Sequence, residues 1–376
     1  MITNLFWFLI LLLFYIFIGY PAILKFIALF KTKRAWVEEN YSTSVSIILS
    51  VYNEEKIIRD KIENFLSLDY PQKLLEMVII SDRCTDNTEN IINSFSCDRI
   101  KLLTQKRRSG KTTSLNFGVS SANGDIILFT DANSMFAKDA VRKLIRHFAN
   151  PEIGLVSGRS IYLDSKNANE EIGNIYRRYE ESIKMNESSL SSLIGADGAI
   201  YALRRELYEP LDPKYINDFI HPIQVVLKGY KAINDAAAIC TENIDIENGK
   251  DELRRQTRII AQSWLIYLSQ IGRLIKEMNW IYAWELTSHK FLRWLTLPIM
   301  LLLFIFSIML FKQGVLFQCV LFLEIIFIFS IILGWKDKIK FLKGPYVFFL
   351  IHLAALLGLY NLLSGNLYII WNPRNN

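Results

Sequence analysis

Ile126-Ile-Leu-Phe-Thr-Asp-Ala-Asn133 decides the fold class. Its opening apolar run reads as a buried strand, and the run stops abruptly at Asp131 and Asn133. Towards the N-terminus the same pattern recurs. Val45–Val51, Met77–Ile80 and Arg99–Thr104 are strand-like runs. Between them Glu55–Leu68, Asp86–Phe95 and Lys111–Val119 have helical character, as in the spacing of Ile58, Ile62, Phe65 and Leu66. Strands apolar along their length, alternating with helices, predict an α/β fold with a mostly parallel sheet covered on both faces. Ligands of such sheets bind beyond the carboxyl ends of the strands. The polar residues fall there: Tyr52-Asn53-Glu54 after the first strand, Ser81-Asp82 after the second, Asp131-Ala-Asn133 after the fourth.

Each of these residues also has a purely structural use. Asp82 suits a helix N-cap, Asp131 suits the cap of a helix beginning near Lys138, and Asn53 suits a turn. Acidic and amide groups at successive ends of one sheet favour a shared nucleotide site over unrelated caps. Carboxylates in that position also suit a divalent cation. Arg108-Ser-Gly-Lys111-Thr112 is not a P-loop, because Gln105 stands where that motif requires glycine. Lys111 at a helix N-terminus nevertheless suits a diphosphate by charge and by dipole.

Outside this block the chain turns apolar. Of its 376 residues 51% are hydrophobic and 13% aromatic, with the excess near the two ends. Leu5–Ile23 carries no charge and covers the ~20 residues a spanning helix needs. It lacks the basic n-region and small-residue cleavage site of a signal peptide, so it reads as an anchor. Leu295–Phe311, Val315–Leu333 and Tyr346–Leu363 are three further spanning candidates. The formal charge of +6 does not indicate a nucleic-acid partner, because the basic residues gather where apolar segments end. Lys31, Lys33 and Arg34 follow the first; Lys336, Lys338, Lys340 and Lys343 precede the last. Basic flanks of this kind face the cytosol and anionic membrane lipid. That topology puts the N-terminus outside, the middle in the cytosol and, after four crossings, Trp371-Asn-Pro-Arg374 outside. Trp284–Trp294, with His289, Lys290 and Arg293, also suits a helix lying on the bilayer surface. Cys84, Cys97, Cys240 and Cys319, and likewise the four histidines, are scattered, which argues against zinc and a disulfide framework.

With these residues in hand, the chain resembles the inverting family-2 glycosyltransferases, in particular the membrane-bound cellulose, chitin, hyaluronan and poly-N-acetylglucosamine synthase group. Ser44-Val-Ser-Ile-Ile-Leu-Ser-Val-Tyr-Asn-Glu-Glu55 looks like the family's opening strand and loop. Ile80-Ser-Asp82-Arg-Cys-Thr-Asp-Asn-Thr88 looks like its nucleoside turn, and Gly110-Lys111-Thr-Thr-Ser-Leu-Asn116 like its diphosphate segment. Asp131-Ala-Asn133 resembles the Asp-x-Asp metal motif, with an amide replacing the second acid. Gly195-Ala-Asp197-Gly-Ala-Ile-Tyr-Ala-Leu-Arg-Arg205 looks like the acceptor-side segment, and Asn217-Asp218-Phe219 like the motif bearing the general base. Arg254-Arg255-Gln-Thr-Arg258-Ile259 stands where processive synthases have Gln-x-x-Arg-Trp, without the tryptophan.

The resemblance implies a GT-A, Rossmann-like domain inserted between transmembrane helices of an integral membrane protein. It divides the chain into an anchor over 1–30, a cytosolic catalytic domain over 40–270, an interfacial helix region over 271–294 and about three transmembrane helices over 295–376. It implies a hexosyltransferase taking a UDP-sugar donor and a glycan or lipid-linked acceptor for cell-surface glycan synthesis, with Mg²⁺ or Mn²⁺. Asp218 is the expected base. Tyr52, Asn53, Glu54, Asp82, Lys111, Asp131, Asp197, Arg255 and Arg258 are the expected substrate contacts, and Asp131 and Asn133 the metal ligands. For Asp218 the competing use is capping a helix starting near Pro222; for the arginines it is a solvated or lipid-facing stripe. A non-catalytic subunit of a polysaccharide assembly system is the alternative function. A transporter fits poorly, for want of Gly/Pro-interrupted spans in matching halves.

Overall fold

The computed structural model describes residues 1–30, 37–163, 170–243, 249–335 and 343–367. The basic residues 31, 33, 34, 336, 338 and 340, and the segment 371–374, lie outside them; Lys343 opens the last helix. A long helix, α1 (Ile2–Phe30), leads into the α/β block. There β1 (Val45–Val51), α2 (Ile58–Leu66), β2 (Leu75–Ser81), α3 (Thr88–Asn93), β3 (Ile100–Thr104), α4 (Lys111–Ser120) and β4 (Ile126–Thr130) follow one another as expected, with ends shifted by a few residues. β1 lies parallel to both β2 and β4, so that Ile47 stands opposite Met77 and Leu128. Alternate residues of β1 then serve opposite faces. Ile47 and Leu49 pack with Ile62, Phe65 and Leu144 on one side; Ile48 packs with Leu115, Val119 and Tyr201 on the other. Burying each such aliphatic side chain contributes about 1.5–3 kcal/mol.

Beyond β4 the sheet turns mixed. β5 (Ser134–Phe136), β6 (Ile153–Leu163), β7 (Ile200–Arg204) and β8 (Lys231–Asn243) complete the strand order β3-β2-β1-β4-β7-β6-β8-β5. β7 runs antiparallel to both β4 and β6, and β5 antiparallel to β8, whereas β6 and β8 are parallel. Four of the seven ladders are parallel. The reversal follows from β7, which enters the sheet between β4 and β6 from the opposite end and brings the 195–199 segment to the carboxyl edge of β4.

The remaining helices are α5 (Ala140–Ile145), α6 (Glu170–Leu190), α7 (Asn217–Leu227), α8 (Gly249–Lys276), α9 (Trp280–Trp294), α10 (Thr296–Met309), α11 (Val315–Trp335) and α12 (Lys343–Leu363). Three of the described helices, α1, α11 and α12, are long and apolar enough to cross a membrane. The expected span at Leu295–Phe311 is different. α10 has 14 residues, roughly 21 Å of helix against a hydrocarbon core of about 30 Å. It reaches spanning length only with α9, from which it bends by 57°.

Two groups of contacts bind these helices to the α/β block and to α8. Tyr20 of α1 donates to Glu187 Oε1 of α6 at 2.7 Å, and His289 Nδ1 of α9 meets the same oxygen at 2.7 Å. Arg293 of α9 pairs with Glu180 of α6. At the other end Gly358 of α12 lies on the backbone of α8. A Cβ there would stand 3.0 Å from Ala261 N and 3.1 Å from Thr257 O, closer than side chains normally come. Small residues allow such approach between helices, and beside it Trp264 Nε1 donates to Ala355 O at 3.3 Å.

Candidate active site

At the carboxyl edge of β1, β2 and β4 a cavity of about 100 Å³ opens, lined among others by Tyr52, Glu54, Asp82, Lys111, Asp131 and Asn133. Arg108 lines it too, with its guanidinium 3.7 Å above the Tyr52 ring, a spacing that favours cation–π attraction. Six of the sequence-predicted residues thus share one cleft. Asn53 is not among the lining residues. Its φ is +54°, a conformation asparagine tolerates, and its side chain is used on Thr85: Oδ1 accepts from Thr85 N at 2.8 Å and Nδ2 donates to Oγ1 at 3.0 Å.

Asp82 is buried, and both its oxygens are taken. Oδ1 accepts from Ser109 N at 2.7 Å and Oδ2 from Gly110 N at 2.9 Å. It does not cap α3, since Asn87 stands at that position and Asp86 Oδ1 accepts from Thr88 N. Asp82 instead shapes the approach to α4. Gly110, at φ +87°, makes the sharp turn into that helix that a side chain would oppose. The result delivers Lys111, the first residue of α4, to the cavity. Its Nζ donates to Asp131 Oδ1 at 2.5 Å. Burial alone would pull the Lys111 ammonium down, but Asp131 outweighs it and, with Asp218, holds its pKa above the ordinary value. Asp131 caps nothing: α5 begins at Ala140, with Asp139 at its N-cap position.

Asp218 sits in the first turn of α7, with Pro222 inside that helix, so it does not cap a helix starting there. Its Oδ2 is packed against Gly198, where a Cβ would stand 2.8 Å away. Its Oδ1 is fully buried and meets no hydrogen-bond donor among the described residues. Burial pushes its pKa up to about 6; Asp131 and Asp197 push the same way, and Lys111 opposes them. Behind it, Asn217 Nδ2 donates to Tyr201 OH at 2.6 Å, and that hydroxyl meets His221 Nδ1 at 2.9 Å. Burial lowers His221 to about 3, so it stays neutral and holds α7 against β7.

The arginines divide. Arg258 of α8 brings its charge within reach of Asp218 and Asp131. Arg255 is held in a two-point pair with Glu252 at 2.9 and 2.7 Å and lies near Tyr162 and Glu242. Arg254 is exposed. Asp197 lines a second cavity, of about 450 Å³, with Ser160, Tyr162, Glu181, Lys184 and Asn234. Its Oδ2 accepts from Ser160 N and Oγ at 2.8 and 2.7 Å, and Oδ1 from Ala199 N at 3.1 Å.

Three residues of this region escaped the sequence reading. Lys61 of α2 is buried to 1% exposure; its Nζ donates to Thr130 Oγ1 at 2.9 Å and to the Ser134 carbonyl, bracketing the turn that bears Asp131 and Asn133. Glu242 of β8 accepts from Ser134 Oγ at 2.5 Å. Arg108 was seen only as part of a rejected motif. Nothing in the spacing of Lys61 or Glu242 marks them, but an isolated lysine on the apolar stripe of α2, between Ile58 and Phe65, was a usable signal.

Among the described residues no three His, Cys, Asp or Glu side chains stand close enough to hold a metal ion together. Asp131 and Asn133 nevertheless offer hard oxygen donors into the cleft. Mg²⁺ and Mn²⁺ commonly take one or two protein oxygens and complete their shell with phosphate oxygens and water, so the donor set fits such an ion once a diphosphate is present.

Residues 46–211 match the family model described as Glycosyl transferase family 2. Probable glycosyltransferase YdaM of Bacillus subtilis is 36% identical over 121 residues, which cover 31% of this chain and 29% of that protein. A poly-beta-1,6-N-acetyl-D-glucosamine synthase of Staphylococcus epidermidis is 33% identical over 123 residues, 32% of this chain and 29% of that protein. The chain thus matches less than a third of the length of these curated relatives. A mannosyltransferase from Pyrobaculum calidifontis, solved in complex with GDP-Man and Mn²⁺, superposes with a TM-score of 0.72 over 96% of this chain and 99% of its own, at 19% identity. That likeness establishes the GT-A fold, with its mixed sheet.

Proposed function

We propose that this chain, which carries a glycosyl transferase family 2 domain over residues 46–211, is a membrane-bound inverting hexosyltransferase that moves a sugar from a UDP-sugar to a hydroxyl of a glycan or lipid-linked acceptor at the cytosolic membrane face. The observation that carries this reading is Lys111, an ammonium placed on Asp131 in the cleft and within electrostatic reach of Asp218.

In this reading the nucleoside lies along the Tyr52–Arg108 stack above Glu54, and Asp82 acts by holding the loop that positions Lys111. The acceptor enters through the second cavity, whose wall at Asp197 adjoins Gly198 and Asp218. Asp218 takes the proton from the acceptor hydroxyl as its oxygen bonds to the anomeric carbon. The bond from that carbon to the diphosphate breaks on the opposite face, and the electron pair leaves with the nucleoside diphosphate. Lys111 and Arg258 hold the charge that develops there, while Arg255 acts from the Tyr162 side. Asp131 and Asn133 would hold Mg²⁺ or Mn²⁺, which when bound would neutralise part of the diphosphate charge.

The test is transfer from radiolabelled nucleotide-sugars by membranes carrying the chain, with and without each cation. A base that must be ionised gives the rate an acid limb, and the value for Asp218 puts it near pH 6. Absence of transfer and of nucleoside-diphosphate binding would overturn the reading. A second expectation concerns a residue distant from the chemistry. Gly358→Leu should slow transfer about tenfold with the chain still folded, because it displaces α8 next to Arg258. A parental rate for that variant would show that α12 does not position the arginine.

A further inference from the structure

We propose that the second cavity takes an acceptor bearing a phosphate, with the phosphate on Arg178 and Lys184 of α6 and a sugar hydroxyl turned towards Asp197 and Asp218. The inference deepens the reading of that cavity as the acceptor's way in, and rests on it.

The cavity, of about 450 Å³, has the size of a small-molecule site, about 300–1,000 Å³. Six of its lining side chains are charged, three of each sign. The acids are all engaged. Glu181 holds Arg159 of β6 through both oxygens, at 3.1 and 2.9 Å. Glu180 pairs with Arg293 and meets His289 Nε2 at 3.0 Å. Asp197 accepts from Ser160 and from Ala199 N. The cations divide differently. Arg178, which is exposed, and Lys184, which is partly buried, form no side-chain hydrogen bond or ion pair among the described residues.

With Arg159 set against Glu181 and Arg293 against Glu180, two positive charges are left on the α6 wall. Asp197, with Asp218 beside it, forms the opposite, acidic side. The Lys184 ammonium bears electrostatically on Asp218, so the two sides are close enough for one ligand to span. A sugar carried on a phosphate matches this division. Cations take phosphate oxygens by charge-assisted hydrogen bonds, and carboxylates accept from hydroxyls. A neutral glycan would make no use of the two cations. The phosphate stays on the acceptor, and only the sugar hydroxyl enters the transfer.

The same wall favours a lipid as the source of the phosphate. Tyr179, next to Arg178 along α6, donates to Phe17 O of α1 at 2.8 Å, and Tyr20 of α1 donates to Glu187. α1 is long and apolar enough to cross a membrane. A headgroup phosphate on α6 would therefore lie beside a helix that itself stands in lipid.

Isothermal titration of the purified full-length chain with glucosyl farnesyl phosphate, farnesyl glucoside and glucose 1-phosphate tests this without any donor. The phosphate-bearing lipid should bind at least about tenfold tighter than the neutral one. Arg178→Gln, at an exposed position, and Lys184→Gln should each weaken it about tenfold, as loss of a charge-assisted hydrogen bond does. Lys184→Arg should recover most of that loss, and UDP affinity should stay at the parental value throughout. Glucose 1-phosphate binding as tightly as the lipid would keep the phosphate and place it on a soluble acceptor. Equal affinity for the charged and neutral lipids, or an affinity that neither glutamine variant moves, would overturn the inference. Failure of the parental chain to bind UDP is a separate result, which would overturn the reading of the first cleft.

Discussion

Asp218→Asn is expected to lower glycosyl transfer by about 10²–10⁴-fold and, at the same time, to raise the unfolding midpoint of the chain at pH 8. Both effects come from one feature, a carboxylate that the fold buries without giving Oδ1 a donor. The folded pKa of about 6 lies above the ordinary value of about 3.9 for an unfolded aspartate. The folded state therefore binds the proton more tightly, and ionisation of Asp218 opposes folding. That penalty is complete above pH 6, shrinks as the pH falls through 6, and is gone below about 4. An amide carries no charge at any of these values, so the stability gain of the variant should be present at pH 8 and vanish near pH 4. Radiolabelled-sugar transfer and thermal unfolding at the two pH values measure the pair. Near-parental turnover would remove Asp218 from the role of base, and a lower midpoint at pH 8 would show that the carboxylate is held by a favourable partner. Such opposition of stability and activity is common where a site keeps a destabilised group for its chemistry.

Lys111→Gln should be nearly as damaging, at about 10²–10³-fold in rate, because in the proposed mechanism the lysine faces the charge that develops on the leaving group. The same change leaves Asp131 without its 2.5 Å partner. Lys111→Arg keeps the charge but not the compact point donor that fits between Asp131 and the cleft, so recovery should be partial. Comparing the rate at saturating donor with UDP affinity separates the roles. A purely binding lysine would alter affinity alone, whereas a residue opposed to developing charge lowers the rate at saturation too. An unchanged saturated rate in Lys111→Gln would sink the assignment.

What the amino-acid order revealed, and what it concealed, divides along physical lines. The strands β1, β2 and β4 were legible because both their faces are buried, which leaves continuous apolar runs such as Ile126–Phe129, whereas β3, at the sheet edge, is only partly buried. Lys111 and Asp131 were legible because a helix start and a strand end are local events. The antiparallel insertion of β7 was not, since the direction of a strand leaves no trace in its own composition. Asp82 and Asn53 were recognised as important, but the amides and the threonine that occupy them belong to segments about 30 residues away. Leu295–Phe311 looked like a simple span because hydropathy does not register a 57° bend. His221 and His289 were set aside as metal ligands. In the structure they sit in buried hydrogen-bond networks with Tyr201 and Glu187, contacts no spacing rule could supply.

The meeting of Gly358 with α8 carries a physiological consequence. Thr257, whose carbonyl a side chain at 358 would meet, immediately precedes Arg258 along the chain. α12 is among the helices long and apolar enough to cross a membrane, and a spanning helix tilts to match the hydrocarbon around it, so a change in bilayer thickness would press on α8 through this glycine.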